Sequence, residues 1–125
     1  MTENELATRV LDHCFEIHRN LGPGLSESVY AAALELELKQ ARIPYEREQP
    51  VVVEYKGSNL GLGFRTDFVV GEKLIVELKS VETVNLSHLK QLLRYLRITN
   101  IRLRLLVDFR EPLLRSGITR VVNTL

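Results

Sequence analysis

The sequence predicts a mixed α/β domain in which an antiparallel meander is followed by a helical crossover. Three observations carry this. Apolar residues recur at helical spacing near the N-terminus and again around residues 87–97. Runs with strand character fall at 51–55, 62–70, 74–79 and 101–109. The resulting order, two helices, three strands, a helix and two strands, suits a sheet that begins as a meander and then crosses over. At 125 residues one domain is expected, and 45% hydrophobic with 26% charged residues is ordinary globular composition.

Each element has a local reason. Thr2 and Glu5 have capping-box spacing, and Leu6, Val10, Cys14, Ile17 and Leu21 then form one apolar stripe. Cys14 on that stripe reads as core, whereas His13 and His18 flank it and read as partnerless surface residues. Gly22-Pro23-Gly24 stops this helix. A second helix, about Ser26 to Ala41, is rich in Ala, Leu, Glu and Lys. Pro44 and Pro50 bracket a short extended piece. Val51–Tyr55 is a strand ending in a turn near Lys56-Gly57, and Leu62–Val70 and Leu74–Lys79 are two more, joined around Gly71-Glu72. A third helix spans about Ser87 to Arg97, with Leu89, Leu92, Leu93 and Leu96 as its apolar face. Ile101–Phe109 is a fourth strand and Ile118–Val122 a short fifth.

Composition excludes several classes. No apolar run approaches the roughly 18 residues of a membrane span, and the polar start is no signal peptide, so a cytoplasmic location with no membrane partner is expected. A single cysteine rules out an internal disulfide or a cysteine-built metal cluster. The net charge of +1 is unevenly spread: residues 86–125 hold two acids against eight Lys and Arg. That segment reads either as a polyanion-facing surface or as a solvated basic face.

The most informative local signal is RTDFVV followed by LIVELKS. If three residues, 71–73, form the loop, Asp67 lies opposite Glu77 and Arg65 opposite Lys79. One face then reads Arg65, Asp67, Val69, Ile75, Glu77, Lys79. The other reads Thr66, Phe68, Val70, Leu74, Val76, Leu78, nearly all apolar. A two-residue loop would mix the faces, so the odd loop is expected. Adjacent carboxylates repel, and a divalent cation relieves that cost; oxygen-only ligation suits Mg²⁺. Lys79 on the same face could orient water or stabilise phosphate charge. A surface ladder of ion pairs would produce the same pattern without any site.

Glu27, Ala31, Leu34 and Leu38 share one face of the second helix, which puts Glu27 at the edge of its buried side. A first-turn acid also suits a helix N-terminus without further purpose. On the third helix His88, Gln91 and Tyr95 fall within one narrow arc, where Gln91 and Tyr95 could reach a substrate phosphate.

Taken together these residues resemble the GxxExxY proteins of the PD-(D/E)XK nuclease superfamily. The naming motif is Gly24-Leu25-Ser26-Glu27-Ser28-Val29-Tyr30. The likeness continues through Ala33-Leu34, Tyr55-Lys56-Gly57, Arg65 and Asp67, Val76-Glu77-Leu78-Lys79, the helix with His88, Gln91 and Tyr95, and Gly117 and Arg120. The resemblance implies a restriction-endonuclease-like core, with Glu27, Asp67 and Glu77 as metal ligands, Lys79 as catalytic lysine and Gln91 as an auxiliary residue. Arg104 and Asp108, with Ala41 and Thr119, depart from the family pattern.

The expected function is hydrolysis of nucleic-acid phosphodiester bonds with Mg²⁺ or Mn²⁺, DNA or RNA being the substrate. Tyr30, Arg65, His88 and Tyr95 are candidate substrate contacts, and a homodimer or protein partner would supply specificity. The alternative is a catalytically inactive nuclease-fold module that binds nucleic acid or a protein.

Overall fold

The computed structural model describes residues 1–48, 50–79 and 101–122, with backbone alone for 50–54 and 59–65. The predicted third helix lies outside these residues, as do His88, Gln91 and Tyr95.

Helix α1 (Glu3–Leu21) opens with the predicted capping box: Thr2 Oγ1 accepts from Glu5 N at 3.1 Å, and Glu5 Oε1 accepts from Thr2 N at 3.3 Å. Leu6, Val10, Cys14 and Ile17 of its predicted stripe are buried, whereas Leu21 at the helix end is exposed, and burial pushes the Cys14 thiol up to about 12. Gly22 ends the helix at a φ of 70°, a left-handed value that costs glycine little, and its N–H bonds His18 O at 2.8 Å. Helix α2 (Glu27–Gln40) buries Tyr30, Ala31, Leu34 and Leu38.

The strands are β1 (Tyr45–Arg47), β2 (Pro50–Tyr55), β3 (Ser58–Arg65), β4 (Phe68–Val70), β5 (Leu74–Lys79), β6 (Leu103–Asp108) and β7 (Ile118–Val122). Five of them form a mixed sheet in the order β1-β4-β5-β6-β7, while β2 and β3 pair separately. Parallel pairing of β5 with β6 agrees with the expected crossover, and β7 closes the sheet antiparallel to β6.

Two expectations change. The meander does not run through one sheet, and the predicted strand Leu62–Val70 is broken at Thr66-Asp67. There the chain leaves the β2–β3 hairpin and enters the five-stranded sheet, whose edge is the piece that Pro44 and Pro50 bracket. Arg65 therefore has Pro50, not Lys79, as its Cα partner, and Lys79 faces Asp108 across β6.

The hairpin parity holds. Phe68 opposes Val76, Val69 opposes Ile75 and Val70 opposes Leu74, with residues 71–73 as the loop. Phe68, Val70, Leu74, Val76 and Leu78 join Leu103, Leu105 and Val107 in the core under α1 and α2. Full burial of such a side chain contributes about 1.5–3 kcal/mol. The opposite face is not solvated either: Ile75, Leu106 and Arg104 are buried on it. Glu77 shares that face, away from the two helices.

Candidate active site

Asp67 sits at the break between β3 and β4, where strand pairing no longer satisfies the backbone. Its carbonyl accepts from Glu48 N at 3.0 Å, and its Oδ2 accepts from Leu78 N at 2.8 Å. These bonds fix the carboxylate at the end of β5. Burial pushes its pKa up; the Leu78 N–H opposes that, Glu77 raises it, Lys79 lowers it and Glu27 raises it. Asp67 thus feels the charge of both other predicted ligands, one from the helix side and one from the opposite face.

Glu77 is 2% exposed and is held by cations. Arg104 Nη2 lies 2.6 Å from its Oε1 and Lys79 Nζ lies 3.3 Å from its Oε2. Arg104 is itself 0% exposed, which makes this a buried ion pair. Parallel pairing explains the meeting: Ile75 faces Arg104 and Glu77 faces Leu106, so Arg104 and Glu77 project from one face of adjacent strands.

Glu27 occupies the first position of α2 and is exposed, not turned inward as its helix face suggests. It still lines a cleft of about 220 Å³ together with Ala31, Arg47, Glu48, Asp67 and Leu78. Tyr30 explains how Glu27 is placed. The Tyr30 hydroxyl donates to Gly22 O at 2.6 Å and accepts from Leu25 N at 3.1 Å, and its ring stacks on Phe109 at 4.3 Å. At 1% exposure, Tyr30 fixes the loop leading into α2 and is not placed as a substrate contact.

Oxygen-only donors fit a hard divalent cation in chemistry, and the raised Asp67 pKa marks a carboxylate that a cation would stabilise. The spacing is looser than expected. Among the described residues, the His and acid trio whose ligand atoms lie within 4.8 Å of one another is His13, Glu16 and Glu37, not Glu27, Asp67 and Glu77. Glu77 in that set is already paired with Arg104.

Both histidines near the first helix stripe have partners, unlike the sequence expectation. His13 Nδ1 is 3.6 Å from Glu37, and His18 Nε2 lies 2.8 Å from Glu111 O. Arg47 and Glu48 in the cleft have no signal in local pattern, because the pairing of β1 with β4 brings them there. Arg104 did have one: its place between buried Leu103 and Leu105 puts it on the Glu77 face. Close packing at the end of β6 accounts for Gly117, where a Cβ would run into Asp108 O.

Asp67 and Glu77 thus meet at the end of a mixed sheet, with Lys79 beside Glu77, as the sequence expectation placed them. The sequence matches the PD-(D/E)XK nuclease superfamily over residues 4–121, and the chain belongs to that superfamily. The crystal structure of SSO0001 is similar at a TM-score of 0.52 and 19% identity, covering 98% of this chain and 60% of that one. That likeness shows a shared restriction-endonuclease-like fold, and this chain spans about 60% of the other's length. Among curated proteins none matches the sequence. Among the described residues no helix is long and apolar enough to cross a membrane.

Proposed function

We propose that this chain is a nuclease of the GxxExxY branch, dependent on Mg²⁺ or Mn²⁺, that hydrolyses phosphodiester bonds in DNA or RNA. The observation that carries the reading is Asp67, fixed by the Leu78 N–H within the electrostatic reach of Glu27, Glu77 and Lys79. Glu27, Asp67 and Glu77 would hold the cation, which supplies Lewis-acid charge to the phosphoryl oxygens when bound. Lys79, 3.3 Å from Glu77, places an ammonium beside these acids, where charge builds on phosphorus oxygens during hydrolysis. Asp67 is the carboxylate that a backbone N–H holds in place. Gln91 as auxiliary residue rests on the resemblance, and Arg65, His88 and Tyr95 as substrate contacts rest on the sequence pattern.

A second reading, an inactive binding module, has its own observation in the Arg104–Glu77 pair, since a guanidinium already neutralises one ligand. Cleavage of labelled single- and double-stranded DNA and RNA with Mg²⁺ or Mn²⁺ separates the two. Cutting by the wild type that Lys79→Met abolishes supports the nuclease. Nucleic-acid binding without cutting in either metal supports the module.

A further inference from the structure

Arg47 ends β1 and lines the cleft beside Glu27, Glu48 and Asp67. Its guanidinium is held on two sides. The carbon centre lies 5.0 Å from the Phe68 ring centroid, and Nη1 is 3.4 Å from Glu35 Oε1. Glu35 is in turn fixed by the Tyr45 hydroxyl, which donates to Oε2 at 2.8 Å. That hydrogen bond, with the Arg47 charge behind it, holds the Glu35 carboxyl below its usual range. Arg47 Nε is shielded from water and has no hydrogen-bond partner among the described residues. The side chain remains 29% exposed.

Three carboxylates on one cleft repel a polyanion. A strand lying there needs compensating positive charge beyond a metal ion held by the acids, and among the described residues Arg47 is the side-chain cation that lines the cleft. A guanidinium offers paired N–H donors that match phosphate oxygens, and one already fixed by stacking and an ion pair loses less freedom on binding. A partly exposed Arg–Glu pair adds little to stability, so a purely structural role would be a minor one. Resting on the nuclease reading above, we propose that Arg47 binds a phosphate of the nucleic-acid strand lying in this cleft, with Glu35 as its positioning residue.

The test uses the full chain. Calorimetry with Mn²⁺ is run on the wild type, Arg47→Met and Arg47→Lys. Strand binding is then read by anisotropy of a fluorescein-labelled DNA or RNA of about 16 nucleotides. These titrations contain Mn²⁺, use a Lys79→Met background to stop cutting, and span a range of salt. All proteins should bind Mn²⁺ alike. Arg47→Met should weaken strand binding about tenfold and reduce the slope of log affinity against log salt by about 0.7–1, one phosphate contact. Arg47→Lys should retain the slope. Should Arg47→Met fold poorly, Glu35→Gln keeps the charge while freeing the guanidinium, and it should weaken affinity with the slope intact. Retained Mn²⁺ binding with unchanged affinity, or with weaker affinity at an unchanged slope in Arg47→Met, overturns the Arg47 assignment and leaves the nuclease reading standing. A wild type that binds neither Mn²⁺ nor either strand overturns both.

Discussion

Replacing Arg104 with methionine is the sharpest perturbation of the site's foundation. The pair it breaks is buried on both sides, at 0% and 2% side-chain exposure, with Nη2 and Oε1 2.6 Å apart. At an effective dielectric of about 20, the gross attraction across such a gap is roughly 6 kcal/mol. Desolvation of each ion takes back several kcal/mol, so the intact pair contributes little net stability. Its loss is different. Arg104→Met leaves Glu77 buried with only Lys79, 22% exposed and 3.3 Å away, as a charged partner among the described residues. Removal of one member of a buried pair costs about 3–5 kcal/mol. Urea unfolding followed by circular dichroism measures this directly, with an unchanged m-value as the check that only stability moved. The double variant Arg104→Met, Glu77→Gln should recover part of the loss, and the cycle gives the coupling. A cost below about 1 kcal/mol, or no recovery in the double variant, would refute the reasoning.

Further outcomes follow from the same geometry. Asp67 has a pKa raised on folding, so between about 3.9, its unfolded value, and the higher native value the folded state holds the extra proton. Stability therefore falls as pH rises through that window, and Asp67→Asn should flatten the fall seen in unfolding curves taken at rising pH above the unfolded value. An equally steep fall in the variant would place the cause elsewhere. Tyr30→Phe removes the donor to Gly22 O and the acceptor for Leu25 N, costing about 1–3 kcal/mol in urea unfolding. Gly117→Ala forces a Cβ against Asp108 O and should lower the thermal midpoint by an overpacking cost of about 1–3 kcal/mol. An unshifted midpoint would mean that the β6 terminus yields freely.

Much of this architecture is legible in the sequence because it rests on short-range periodicity. The capping box, the α1 stripe with Cys14 and the 71–73 loop follow from spacing alone. The separation of Phe68, Val76 and Leu78 from Glu77 follows from the period of two in a strand. What spacing could not reveal is where the chain changes sheets. Leu62–Val70 has unbroken strand character, yet its two halves pair with different partners, and the break at Thr66-Asp67 frees the Asp67 backbone and side chain for local bonds. Glu27 and Tyr30 show the same limit. Helical phase predicted an inward acid, whereas the buried side chain is the tyrosine three residues on, and the acid is left at the cleft mouth.

Arg104 carries the largest consequence. By charge it belongs to the basic C-terminal segment, and by register it lies in the interior against a predicted metal ligand. A resident cation beside Glu77 lowers that carboxylate's need for a second one. Glu77→Ala is therefore a poor probe of metal binding, since it would take the carboxylate from a buried ion pair and destabilise the fold at the same time. Asp67 is the cleaner choice, half-buried and bonded through a backbone donor that an asparagine oxygen can also accept from.

Calorimetric titration of Mn²⁺ into the wild type and Asp67→Asn, at a pH where both are folded, tests the central claim most directly. The account predicts saturable binding by the wild type and a loss of at least tenfold in affinity for the variant, a change of about 1.4 kcal/mol or more. Equal affinity in both proteins would contradict it, and would move the metal to another set of residues.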